Sequence, residues 1–328
     1  MYSFIVLFIV NGIRYKSTMY SVFYNVLPIF LIALLGSVIR RKWLTSSEFW
    51  RGLEKLSFYI LFPNVLFEYS AKVDLNSSEF LRLTIALMTS ILIIAVMLIL
   101  YQIKRPHSGV QFTSIFQGAT RYNNYIFFAL GAALFGIEGI TIVATIAPYL
   151  LIFTNITAVM SFTHYIPQND GVSTKRKNLI LMIKSIGANP FVLASIAGII
   201  FNYLQLTLNV GIEQTIHSLA NSALAIGILI VGAGIKLKVD PEDLKQVAFT
   251  SCVKLILMPV ITFIVLWLMG ITGTAKSVGI LFSCLPCASS SYILSRQLGG
   301  DSEVMSSIIT FTTIFSILSL SLLVYILG

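Results

Sequence analysis

Charge is scarce in this 328-residue sequence: Asp, Glu, Lys and Arg make up 11%, against 57% hydrophobic residues, and mean hydropathy is +0.89. A soluble domain carries roughly a quarter charged residues, so a water-facing surface of ordinary composition is excluded. Cysteine is nearly absent too. The three present are an odd number, all in apolar segments, which excludes a disulfide framework. Cys284 and Cys287 form a CxxC spelled CLPC, but a redox or metal role needs an accessible, polar setting, and no second Cys or His pair stands at ligand spacing. They read as small packing side chains. Buried acid is the third deficit. Every Asp (Asp74, Asp170, Asp240, Asp243, Asp301) lies in a loop or at a span end, and the Glu residues also fall near span ends, with Glu68 the deepest. No carboxylate pair, nucleophile–base pair or metal cluster is evident, which argues against an enzyme.

Long apolar runs are abundant. Leu81–Leu100 is one, and Val247–Met269, broken only by Lys254, is another. Each matches the roughly twenty residues needed to cross a bilayer. The sequence divides into ten spans, at about Ser21–Ile39, Phe49–Tyr69, Phe80–Ile103, Val110–Phe135, Ile140–Tyr165, Leu179–Leu204, Ile212–Ile235, Leu244–Met269, Ala275–Arg296 and Glu303–Leu327. With the first span starting outside, the cytoplasmic ends collect sixteen of the 22 Lys and Arg residues, Lys254 counted among them. The outer loops receive Lys72, Arg82 and Lys276. That asymmetry obeys the positive-inside rule and predicts a multi-pass protein of the bacterial inner membrane with both termini outside. The net charge of +9 is thereby read as topology and not as nucleic-acid binding. Residues 1–18 form a lead that is too short to span and has its charges on the wrong side for a signal peptide. Met19 is read as the natural start, with an interfacial lead as the alternative.

The sequence repeats itself. Pro28 and Gly36 in the first span return as Pro190 and Gly198 in the sixth, an offset of 162 residues. The same offset carries Asn124 onto Pro286, and brings Gly136 within one residue of Gly299. Five spans per half is odd, so the second copy lies upside down. Residues 19–165 and 179–328 are the two halves, with a short cytoplasmic loop at 166–178 that leaves no room for a regulatory domain. Inverted halves of this kind mark secondary transporters. The expected fold is an all-α integral membrane protein of ten helices in two inverted five-helix repeats, its fourth and ninth helices broken and crossed.

The polar centres of those two spans are the candidate site. The fourth reads QFTSIFQGATRYNNYIFFALGAALFG, with Gln117, Thr120, Arg121, Asn123 and Asn124 at mid-segment. Arginine at a helix centre costs ~2.5–3.5 kcal/mol on insertion scales, and polar groups at that depth must face protein or a water-filled cavity. The ninth reads VGILFSCLPCASSSYILSRQLGGD, where Pro286 removes a backbone donor and Ser289, Ser290 and Ser291 satisfy freed groups or meet substrate. Half-helix N-termini at such a crossing present free N–H groups and partial positive charge to an anion. Without a carboxylate at the crossing, a small organic anion is favoured over a cation. Arg121 is read either as a substrate contact or as a structural pair, Asn123 and Asn124 as site lining or interhelical glue, and Pro63 with Asn64 as a kink or part of the site. His107, His164 and His217 fall near span ends and are read as solvated.

At VLPIFLIALLGSVIRRKWLT, LFPNVLF, RYNNYIFFALGAALFG, NPFVLASIAGII, KLILMPVI and LPCASSSYILSRQLGGDSEV the chain resembles the auxin efflux carrier family, specifically its short bacterial members, often called malate permeases. The resemblance runs from about Asn25 to the C-terminus. It implies the five-plus-five fold of bile-acid and sodium/proton carriers, an elevator-type transport domain, and a scaffold of the first, second, sixth and seventh spans that often forms a homodimer. It implies small organic anions as substrates. Many members carry a Gly-Leu-Pro-like stretch after the paired asparagines, whereas this chain has Phe127, Phe128 and Ala129. The expected partners are thus an organic anion, membrane lipid and a second copy of the chain. No cofactor is expected, and the coupling ion is left open between H+ and Na+. A sodium-coupled symporter of a larger organic anion and a non-transporting ligand sensor are the competing readings.

Overall fold

The computed structural model describes residues 27–72, 78–166, 188–235 and 241–327. The lead at 1–18, Met19, the start of the sixth span and all but the first residue of the 166–178 loop lie outside the described residues. Within them the chain is helical, with no strand. Helix α1 covers residues 27–42, and α2 (Ser47–Leu56) is started by Ser46, whose hydroxyl accepts from the Glu48 and Phe49 amides. The missing amide of Pro63 then distorts the rod beyond α2. A π-turn at Ser57–Leu61 precedes α3 (Phe62–Ser70), and the Phe62 amide reaches back five residues to the Ser57 carbonyl. Proline repeats the effect at Pro259, where a π-turn at Val253–Leu257 joins α9 (Leu244–Cys252) to α10 (Met258–Leu268).

Between these rods run α4 (Ser78–Lys104), α5 (Gly109–Thr120), α6 (Asn124–Tyr165), α7 (Pro190–Tyr203) and α8 (Val210–Ala233). The chain closes with α11 (Gly273–Cys284), α12 (Ser291–Leu298) and α13 (Ser302–Leu327). At 1.5 Å per residue α4 is about 40 Å long, enough to cross a bilayer. Among the described residues five helical stretches are long and apolar enough to do so, with mean hydropathy from 1.6 to 2.8. One of them, Gly109–Tyr165, is 57 residues long, more than one crossing requires. It is divided by an extended break at residues 121–123 and by Gly136, whose φ of 59° opens a turn inside α6. This is a multi-pass membrane protein.

The helices fall into two groups. In the first, α3 packs on α7 and α8, and α1 lies against α8. The closeness depends on two glycines. A Cβ at Gly36 would collide with the Leu229 carbonyl, and one at Gly198 with the Phe67 carbonyl. The 162-residue offset that carries Gly36 onto Gly198 also carries Phe67 onto Leu229, so the two contacts exchange under a single shift. In the second group, α4, α5, α6, α9, α10, α11 and α13 surround the two helix breaks. The groups meet through aromatic rings: Phe62 of α3, stacked within its own group on Phe191 of α7 at 5.8 Å, packs on Tyr125 and Phe128 of α6.

Candidate functional site

The site begins with two places where helices stop. Helix α5 ends at Thr120, and the chain runs extended through Arg121 (φ −85°, ψ 156°) to Asn123 (φ −84°, ψ 106°) before α6 starts. Helix α11 ends at Cys284, and residues 285–288 are irregular, with Pro286 among them. The breaks touch: the Asn123 amide donates to the Pro286 carbonyl at 2.9 Å. Stray backbone groups here find partners inside the protein, as low dielectric demands. The Asn123 carboxamide caps α6 by accepting from the Ile126 amide, Thr312 Oγ1 accepts from the Cys287 amide at 3.1 Å, and Ser319 donates to the Cys284 carbonyl at 3.2 Å. Phe127, at the position of the Gly-Leu-Pro-like departure, fills the crossing by packing on Tyr122 and Phe282. The break therefore ends at the paired asparagines, with Asn123 its last extended residue and Asn124 the first of α6.

Arg121 is the charge at this crossing. It is 4% exposed, yet its side-chain hydrogen-bond partners are all neutral. Its guanidinium donates to Gln117 Oε1 at 3.0 Å, Asn155 Oδ1 at 2.9 Å and Ser290 Oγ at 3.1 Å. Gln117 is itself held by Ser295 at 3.1 Å, and Asn123 donates to Ser289 Oγ at 3.3 Å. The arrangement fixes the cation in place without cancelling its charge. A guanidinium has five N–H donors, so these three bonds leave donors to spare.

A cavity of about 530 Å³ opens beside it, lined by Arg121, Asn123, Asn124, Ser289 and Ser290 together with Arg51, Lys55 and the rings of Phe58, Tyr125 and Phe191. Asn124 Oδ1 is buried and has no hydrogen-bond partner among the described residues. Since an amide can turn to present either its oxygen or its Nδ2, this group is set to meet a ligand of either polarity. A second recess of about 440 Å³ shares Arg51, Glu54, Ser289 and Ile293 with the first and adds Arg40, Arg41 and Arg296. The approach to the crossing is thus strongly basic.

Five of the seven residues singled out from the sequence, Arg121, Asn123, Asn124, Ser289 and Ser290, share this cavity. Pro286 supplies the carbonyl that ties the breaks together and does not line the cavity. Asn64 is not brought there: its carboxamide donates to the Ile60 carbonyl at 2.7 Å, one turn back in the π-turn before Pro63. Three further differences stand out. Glu54 lines the cavity, so its wall is not free of carboxylate. His217 is not simply solvated, for its Nδ1 lies 2.9 Å from Oε1 of the buried Glu68. Lys254, counted from the sequence at a cytoplasmic span end, is completely buried. Asn155 escaped the sequence reading, although an asparagine amid LLIFTNITAV is itself a signal. Both cysteines of the CxxC are buried and free, Cys287 lying against the Gln117 carbonyl.

A family model described as membrane transport protein matches residues 154–324, just over half of the chain. The protein belongs to the auxin efflux carrier family of membrane transporters. Two relatives match this carrier nearly end to end. One, from Rhizobium meliloti (strain 1021), bears the name "Putative malonate transporter" and is 23% identical, covering 92% of this chain and 94% of its own. The other, named "Uncharacterized transporter", is from Methanothermobacter thermautotrophicus and is 21% identical, covering 91% and 96%. The carrier is a transporter and not an enzyme.

Proposed function

We propose that this carrier moves a small organic anion, a mono- or dicarboxylate of the malonate or malate kind, across the bacterial inner membrane as a secondary active transporter. One observation carries the reading: a buried guanidinium, whose side-chain hydrogen-bond partners among the described residues are all neutral, faces a cavity at the crossing of two broken helices. An unbalanced cation in low dielectric is costly, and a carboxylate in the cavity supplies the missing charge through bonds stronger than neutral ones. The N-termini of α6 and α12 at the same place add to the attraction. The name of the Rhizobium relative points to the same substrate class.

The protein works as ten spans in two inverted halves, a reading supported by the reciprocal contacts Gly36–Leu229 and Gly198–Phe67. Transport is of the elevator type. The helices around the crossing shift against α1, α2, α3, α7 and α8 across the aromatic joint at Phe62, whose rings can slide without breaking ion pairs. The arginine-lined recess is the cytoplasmic mouth, so the state seen here opens inward and both termini lie outside.

The test is uptake of radiolabelled malonate and malate into proteoliposomes. Uptake above that of empty vesicles is expected, and Asn124→Ala is expected to reduce it to background while leaving membrane insertion and thermal melting unchanged. Equal uptake in the variant would place the anion elsewhere.

A further inference from the structure

Lys254 has no part in the cavity, and its surroundings are unusual for a lysine. It is 0% exposed, and among the described residues its Nζ has no hydrogen-bond acceptor. The residue sits in the π-turn Val253–Leu257, near the middle of the rod formed by α9 and α10. An ionisable group held inside a membrane span is by default a functional candidate, and π-turns recur at functional sites.

The charged groups around it can be named. The elements packed on the π-turn are α5, α9, α10, α11 and α13. Among the described residues their sole carboxylate is Glu303, in the first turn of α13, and their other lysines are Lys245 near the start of α9 and Lys276 near the start of α11. None forms an ion pair with Lys254. Its titratable neighbours are the thiols of Cys284 and Cys287, and Cys287 also neighbours Arg121. The Phe282 ring, with its centroid 5.7 Å from Nζ, offers a positive charge its electron-rich face but no counter-ion. A neutral amine fits this pocket without a counter-ion, whereas an ammonium needs one.

The same rod carries two more buried polar atoms without partners: Ser251 Oγ about one turn before Lys254 and Thr262 Oγ1 about two turns after it. Buried polar groups left unpaired in a structure commonly mark water positions. In the chain the lysine lies between these two.

We propose that Lys254 is the proton-binding residue of the transport cycle. Resting on the anion-carrier reading above, this makes the protein a proton–anion symporter. The neutral amine takes a proton from water as the anion enters the Arg121 cavity, the arriving negative charge supplies the counter-charge the ammonium lacks, and the ammonium returns its proton when the anion leaves. Anion and proton binding then favour each other reciprocally.

The experiment uses malonate as the probe, with the full-length protein in liposomes that contain a pH-sensitive dye and have the membrane potential clamped at zero. Wild-type protein is expected to carry protons inward with malonate. An external medium one pH unit more acidic than the lumen is expected to raise malonate accumulation about tenfold. Lys254→Gln is expected to abolish both responses. Malonate uptake without proton entry, or uptake that follows a sodium gradient instead, overturns the role of Lys254 and leaves the carrier reading intact. This wild-type result decides even if the variant fails to insert. Proton-driven accumulation that survives in a well-folded Lys254→Gln protein also overturns it. No malonate flux under any gradient removes the carrier reading, and this inference with it.

Discussion

Arg121 and Lys254 are two buried basic side chains, and Cys287 neighbours both. Their settings differ in almost everything else. The guanidinium has three side-chain acceptors and faces a cavity, while the amine has no acceptor among the described residues and does not line that cavity. Depth alone therefore does not say what a charge inside a membrane protein does. A fork of donors pinned by neutral amides and a hydroxyl is a fixed charge, suited to holding a carboxylate in one geometry. A lone amine that can lose its charge is suited to being switched.

Substitutions sharpen the contrast. The largest effect belongs to Arg121→Gln, which removes charge-assisted bonds worth about 1.5–3 kcal/mol each. Malonate uptake at low concentration is expected to fall by roughly 100-fold, with a rise in KM as the first sign. Asn155→Ala removes one neutral acceptor and leaves the guanidinium less well aimed. A loss of about 1 kcal/mol, near fivefold in KM, is expected from initial-rate measurements, and an unchanged KM would mean that Gln117 and Ser290 alone fix the charge. Asn64→Ala is the smallest. Because its amide serves only the Ile60 carbonyl of its own helix, uptake is expected to stay within about twofold of wild type, with the remaining change appearing as a small drop in melting temperature.

Much of this was legible in the sequence, and for physical reasons. Polar residues at the centre of an apolar span have few permitted places, which is why Arg121, Asn123, Asn124, Ser289 and Ser290 converge on one cavity. The 162-residue offset was visible because proline and glycine mark backbone events that side-chain drift does not erase, and the exchange of Gly36–Leu229 with Gly198–Phe67 gives that offset a physical meaning. What failed was anything that depends on packing between spans. Asn64 looked like Asn124 in composition, but the packing of α3 leaves it off the cavity wall, bonded to the Ile60 carbonyl one turn back. Lys254 stood out as the one break in the apolar run Val247–Met269, yet it was counted with the cytoplasmic basic residues, and only the neighbouring helices that close over it show that it is buried. Glu54 and Lys55 passed as surface charges because only the arrangement of α2 against the crossing brings them to the cavity wall.

Equilibrium binding of malonate to purified protein, followed by calorimetry, addresses the seat of the anion most directly. Wild-type protein should bind with measurable heat, and Arg121→Gln, with its melting temperature preserved, should bind at least about 100-fold more weakly. The same dissociation constant in both proteins would contradict an anion seated on that guanidinium.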